Sequence, residues 1–290
     1  MKSCGVAGKK RWAVNPKMNQ EEIKVCVMRV GGTNCDAETQ RAFQELGIQA
    51  DVLHVNELVK LHGLLDYQVL VFPGGFSFGD YVRSGVIFAR HLSAKLGNEM
   101  GTFIDEGRPI LGICNGFQIL VEYGLLPGFE GVSPYPEAAL TNNEPAGFKC
   151  RWVYLKHENR GKCAFTNKIA AGRVLRMPIA HGEGRLLFPR DKEQEMLAKL
   201  VDNDMVVFRY CDENGKVADG EYPTNPNGSF YDIAGVCNRE GNIFGLMPHP
   251  ERAMYWWQQP DWTRQQQMLQ YGDGKLVFQS IIDNLTKKCP

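Results

Sequence analysis

The sequence predicts an α/β protein in three layers, a doubly wound, mostly parallel sheet between helices. Three observations carry that expectation. Short apolar runs alternate with helical patterns through the first half of the chain. Those runs are continuously apolar instead of alternating, the pattern of strands buried on both faces. Two of them end in Gly-Gly or Pro-Gly-Gly turns.

Taken in order, residues 24–30 form an apolar run that stops at Gly31-Gly32 and predict a strand followed by a tight turn. Asp36 offers an N-cap for a helix over 37–46, which Gly47 terminates. Residues 50–55 and 68–72 predict strands, the second closed by Pro73-Gly74-Gly75. Helical stretches follow around 86–96 and again before Gly107. Residues 109–113 predict a fourth strand and 115–123 a helix. The second half is less regular, with strand-like runs at 151–156, 174–179, 205–210, 233–237 and 243–247, and a closing amphipathic helix at 276–287. One domain over 23–290 is expected, with loop insertions near 212–229 and 254–273. Residues 1–22 are expected to form a flexible N-terminal extension.

Composition narrows the function class. Lys+Arg and Asp+Glu both number 33, so the chain has no general attraction for nucleic acid or an anionic membrane surface. No apolar run approaches the roughly 18 residues of a membrane span. The basic N-terminal stretch lacks the apolar segment of a secretory signal. Nine scattered cysteines without a C-x-x-C pair predict a reduced, cytoplasmic protein. Candidate metal ligands are dispersed, and no metal site is expected.

The chemistry centres on Gly112-Ile113-Cys114-Asn115-Gly116, between a predicted strand and a predicted helix. That is the context of a nucleophile elbow, with cysteine as the nucleophile. Glycines permit the sharp turn. The helix N-terminus favours the reactive thiolate, and the N–H of Asn115 can meet a developing oxyanion. Alone, the motif fits a buried structural cysteine equally well. Three features shift the balance. His249, at the end of the 243–247 strand, has Glu251 two residues on, which supplies a base and its orienter. Gly75 ends a neighbouring strand and can supply a second oxyanion N–H. Gln118 lies one helical turn beyond Cys114 and could bond an amide or carboxylate. His181 is a second imidazole competing for the base role. It lies in a Gly-rich segment without a fixed carboxylate, which favours His249.

With these residues assembled, the chain resembles the class I (triad) glutamine amidotransferases, whose fold is flavodoxin-like. The resemblance rests on G-x-C-x-G-x-Q at 112–118 followed by His249-Pro250-Glu251. The segments 76–83, 180–184, 225–229 and 247–252 narrow it to the glutaminase-subunit family of phosphoribosylformylglycinamidine synthases, from about residue 24 onward. The resemblance implies that Cys114, His249 and Glu251 are catalytic, and that Gly75 and Asn115 form the oxyanion hole. It implies that Gln118, His181, Gly182 and Glu183 line a pocket for L-glutamine. It places Asp80, Tyr81, Arg83, Asn225, Asn227 and Ser229 against a synthetase subunit, which a small third subunit could join. It also implies no cofactor on this chain, with ATP and Mg²⁺ on the synthetase; no P-loop motif occurs here. The residues 1–22 and 256–272 exceed what a compact subunit needs. A stand-alone γ-glutamyl amidohydrolase and a non-catalytic interaction module of the same fold are the competing readings.

Overall fold

The computed structural model describes residues 17–61, 63–264 and 269–286. Expectations for residues 1–16, for 265–268 of the Gln-rich run and for residue 287 lie outside them.

The chain runs β1 (Lys24–Arg29), α1 (Asp36–Gln44), β2 (Gln49–His54), α2 (Val55–Leu61), β3 (Val69–Phe72), α3 (Val86–Asp105), β4 (Ile110–Ile113) and α4 (Asn115–Glu122). It continues through β5 (Ala139–Thr141), β6 (Lys149–His157), β7 (Val174–His181), β8 (Arg185–Leu187) and α5 (Glu193–Asp202). It ends with β9 (Val206–Cys211), β10 (Ile233–Cys237), β11 (Ile243–Leu246) and α6 (Lys275–Leu285). The predicted helices on either side of residue 96 are one element, α3, kinked at Leu96 with φ −128°. Three kinds of element escaped the sequence reading. α2 begins on the residue after β2, with no turn signal between them. α5 buries only Leu200, so its apolar stripe is thin. β5 and β8 are three residues each, too short for a period to register.

The sheet has nine strands in the order β2-β1-β3-β4-β11-β10-β9-β6-β7. Strands β2, β1, β3, β4 and β11 pair in parallel. The rest of the sheet extends antiparallel from β11 to β7. The parallel half is the buried half: β3, β4 and β11 are shielded at every position. That explains their unbroken apolar runs. The antiparallel extension brings its last strand back to the site, since His249 N–H, beyond β11, donates to Pro178 O of β7 at 2.8 Å. The turn-rich stretch 212–229 includes a bridge between Cys211 and Val217. In 254–273, Tyr255 pairs with Tyr271 around the short 3₁₀ turns Trp256–Gln258 and Trp262–Arg264.

Candidate active site

Cys114 occupies the turn between β4 and α4 with φ 52° and ψ −105°, a conformation that is strained for a residue with a Cβ. Its N–H donates to Leu246 O of β11 at 2.8 Å, and its carbonyl accepts from Gln118 N at 3.2 Å. The sharp turn requires a bare backbone after it. A Cβ on Gly116 would stand 1.9 Å from Phe72 O, so only glycine lets α4 press against the end of β3. The sulfur is buried and contacts Ala180 O of β7 at 3.7 Å. Asn115 is the first residue of α4, and its N–H has no intrahelical acceptor.

His249 follows β11, the parallel neighbour of β4. Its Nδ1 lies 2.6 Å from Glu251 Oε1, with both side chains buried. Pro250 opens the 3₁₀ turn Pro250–Arg252 that carries Glu251 back under the ring. With Nδ1–H donating to the carboxylate, Nε2 is left as the base nitrogen. Among the described residues Nε2 has no hydrogen-bond partner, and Cys114 is one of the groups that raise the ring's proton affinity. Burial disfavours the imidazolium. The Glu251 carboxylate and Cys114 outweigh it, and the proton affinity of His249 is held well above that of an ordinary histidine.

His181, the last residue of β7, is also buried, but an amide holds it: Nδ1 meets Asn143 Oδ1 at 3.1 Å. Burial and, second, the nearby His249 push its pKa down to about 3. It is a neutral imidazole at physiological pH. Asn143 also accepts from Gly184 N at 3.0 Å and donates to His181 O at 2.9 Å, fixing the strand end around it.

The loop before α1 and the loop after β3 interlock. Asn34 N and Cys35 N both donate to Gly74 O, at 3.2 and 3.0 Å, and Phe76 N donates to Gly32 O at 2.8 Å. A Cβ on Gly74 would stand 2.7 Å from His249 Cε1, so the ring packs on bare backbone there. The N–H of the next residue, Gly75, has no acceptor among the described residues. Asn115 and Gln118 tie α4 to its surroundings. Asn115 Oδ1 accepts from Ser77 N at 3.2 Å, and its Nδ2 donates to Gln118 Oε1 at 3.0 Å. Gln118 Nε2 donates to Glu183 O at 2.6 Å. Both ends of the Gln118 amide therefore hold the site's frame. The Glu183 carboxylate accepts from Ser84 N at 3.0 Å, and Gly182 O accepts from Asn143 N at 3.0 Å.

The residues expected at a partner surface divide. Tyr81 is 88% exposed. Arg83 is half exposed and pairs with the buried Glu122. Asp80 is half-buried, and burial raises its pKa. Asn225, Asn227 and Ser229 do not face outward, which corrects the expectation for their side chains. Asn225 Nδ2 donates to Ser229 O and to Asp232 Oδ1, each at 2.9 Å. Asn227 Nδ2 donates to Gly184 O at 2.8 Å, and Ser229 Oγ to the same oxygen at 3.2 Å. Their side chains brace the His181–Gly184 segment from behind.

Three residues near the triad were given no site role from the sequence. Asn143 has no local signal, because its partners lie 38 and 41 positions away. Cys35 and Arg252 meet at 3.0 Å behind His249. Cys35 follows the Gly31-Gly32 turn, which reads as the end of the first strand. Among the described residues Cys35, His249 and Glu251 bring ligand atoms within 4.8 Å of one another. A cation there would have to displace the His249–Glu251 hydrogen bond and face the Arg252 guanidinium.

A strained thiol at one parallel strand end and a histidine–carboxylate pair at the next is the geometry of a triad thiol hydrolase. The family model for the CobB/CobQ-like glutamine amidotransferase domain matches residues 22–283. The phosphoribosylformylglycinamidine synthase subunit PurQ of Archaeoglobus fulgidus is 48% identical over 280 residues, spanning 93% of this chain and 100% of that one. The corresponding subunit of Methanococcus maripaludis is 42% identical, spanning 90% of this chain and 93% of its own. A chain in the structure of PurLQS from Thermotoga maritima superposes with a TM-score of 0.68 at 36% identity, covering 91% of this chain and 100% of that one. The chain belongs to the CobB/CobQ-like glutamine amidotransferases and, among them, to the PurQ subunits of phosphoribosylformylglycinamidine synthase.

Proposed function

We propose that Cys114, His249 and Glu251 hydrolyse glutamine, and that the ammonia passes to a separate synthetase. The synthetase converts formylglycinamide ribonucleotide to formylglycinamidine ribonucleotide. The observation that carries the reading is the buried 2.6 Å His249–Glu251 pair beside a positive-φ cysteine at a helix N-terminus.

In this mechanism His249 Nε2 takes the Cys114 thiol proton, and the sulfur attacks the side-chain carbonyl of glutamine. The oxyanion forms between the N–H groups of Asn115 and Gly75, both without an acceptor among the described residues. The imidazolium, stabilised by Glu251, gives its proton to the departing ammonia and leaves a thioester. His249 then activates a water that releases glutamate. Neutral His181 and the Gln118-braced 182–184 segment line the acyl side. Ammonia protonated in bulk water is no longer a nucleophile, so transfer must be enclosed. The synthetase is expected over the exposed segment bearing Tyr81, and the relative solved as PurLQS supports a third small subunit. ATP and Mg²⁺ are assigned to the synthetase and none to this chain. The described residues contain no helix long and apolar enough to cross a membrane. Free cysteines, buried for the most part, accord with a reducing cytoplasm.

The test is a glutaminase assay with and without synthetase, ATP and formylglycinamide ribonucleotide, comparing native chain with Cys114→Ser. Activity that depends on partner and thiol is expected. A full rate without the synthetase would instead make this a stand-alone amidohydrolase.

A further inference from the structure

Behind the His249–Glu251 pair lies a contact that the hydrolysis does not use. Cys35 caps α1 and is buried. Its sulfur lies 3.9 Å from His249 Nδ1 and accepts a hydrogen bond from Arg252 Nη2 at 3.0 Å. Arg252 Nε reaches Glu38 Oε1, in the first turn of α1, at 3.3 Å. The same Nε stands 4.0 Å from Glu251 Oε1. Burial raises the Cys35 pKa, so the sulfur meets the guanidinium as a neutral thiol, a weak acceptor.

Arg252 has a stronger partner within reach. It follows Glu251 in sequence, and Glu251 Oε2 is buried with no hydrogen-bond partner among the described residues. A guanidinium fork pairs bidentately with a carboxylate wherever geometry allows. Here two acceptors, Cys35 just before α1 and Glu38 in its first turn, turn the fork aside. If it closed onto Glu251, the carboxylate would serve two cations, and its hold on the His249 imidazolium would weaken. Cys35 also packs where His249 packs, since a Cβ on Gly74 would meet both the sulfur at 3.1 Å and His249 Cε1 at 2.7 Å.

We propose that Cys35 is a positioning residue for the hydrolysis: together with Glu38 it keeps the Arg252 guanidinium at 4.0 Å from Glu251 instead of in a bidentate pair, so that the carboxylate's hydrogen bond goes to His249. The inference rests on the proposed glutaminase function.

The experiment assays glutaminase activity in the assembled complex for native chain, Cys35→Ser, Cys35→Ala, Arg252→Gln and the double variant Cys35→Ala/Arg252→Gln. Cys35→Ala is expected to lower kcat about tenfold through misdirected base geometry. KM for glutamine should stay within about twofold. The alkaline limb of the pH profile should move to lower pH, because an imidazolium with a shared counter-ion loses its proton sooner. Cys35→Ser keeps an acceptor and should stay near native. The double variant should recover to the level of Arg252→Gln, a rescue that lost packing alone would not show. If Cys35→Ala folds poorly, Glu38→Ala frees the other arm of the fork and should give the same kcat loss and limb shift. An unmoved pH limb in these variants, or a double variant no better than Cys35→Ala, overturns the proposal. Native chain that is inactive even in the complex would instead sink the glutaminase reading itself.

Discussion

His249 Nδ1 and Glu251 Oε1 meet at 2.6 Å in a position closed to solvent, although the two residues are only two apart in sequence. In an extended strand such a pair would point the same way without touching. The 3₁₀ turn started by Pro250 curls the carboxylate back onto the ring. The contact fixes the tautomer that leaves Nε2 free for the thiol.

Replacing Glu251 with Gln keeps the shape and removes the charge. The neutral amide can present its N–H to Nδ1 and select the wrong tautomer. A kcat loss of about 10²–10⁴-fold is expected, with a much smaller change in KM. Steady-state assay of Glu251→Gln in the complex decides it. Activity within a few-fold of native would remove Glu251 from the role of orienter.

The two imidazoles of the site differ by their partners. His249 has a carboxylate that raises its proton affinity, whereas burial and, second, the nearby His249 lower the pKa of His181 to about 3. A base must accept a proton during turnover, and only His249 is built to hold one. His249→Ala should therefore reduce hydrolysis by roughly 10³-fold or more. His181→Ala should weaken it without abolishing it. The reverse ranking in single-turnover assays would transfer the base role to His181.

The central parallel strands were legible in the sequence because they are shielded on both faces and read as unbroken apolar runs, as Val69–Phe72 and Ile110–Ile113 show. Cys114, His249 and Glu251 were legible for a related reason: each lies where such a run breaks at a turn residue. Burial by polar contact was not legible. Asn225, Asn227 and Ser229 form a Gly- and Pro-flanked polar string that reads as a surface loop, yet their side chains satisfy one another and the Gly184 carbonyl inside the fold. The Arg252–Cys35 contact joins positions 217 apart, and no local pattern announces it.

That distinction separates two surface-like segments experimentally. Asn227 is 0% exposed, and its amide donates to Gly184 O and to Tyr210 Oη. Asn227→Ala should cost about 1–3 kcal/mol of folding stability in the isolated chain, through the buried Ser229 N–H it leaves without its Asn227 Oδ1 acceptor. Tyr81, 88% exposed, should cost almost nothing on folding when changed to Ala. Its loss should instead weaken association with the synthetase by roughly tenfold if it is an anchoring aromatic. Urea unfolding of the isolated chain, paired with a binding titration, reads both. Equal stability of native and Asn227→Ala would place the 225–229 loop outside the core after all.

The two histidines also give stability opposite slopes with pH. The folded pKa of His181 is about 3, against an ordinary 6.5. Above about pH 6.5 it is neutral in both the folded and unfolded chain, and its contribution is complete. As pH falls from there towards 3, the unfolded chain gains a proton that the folded chain refuses, and stability drains away. His249 has the raised value, so its contribution is present below about pH 6.5 and is lost as pH climbs through its folded pKa. Replacing His181 with Gln keeps a polar partner for Asn143 and removes the acid-side drain. The native chain should lose about 2 kcal/mol more than His181→Gln between pH 7 and pH 5. Urea midpoints for both chains at the two pH values test this. Parallel losses would mean that His181 takes up its proton in the fold as readily as outside it, and that the burial around it opens on acidification.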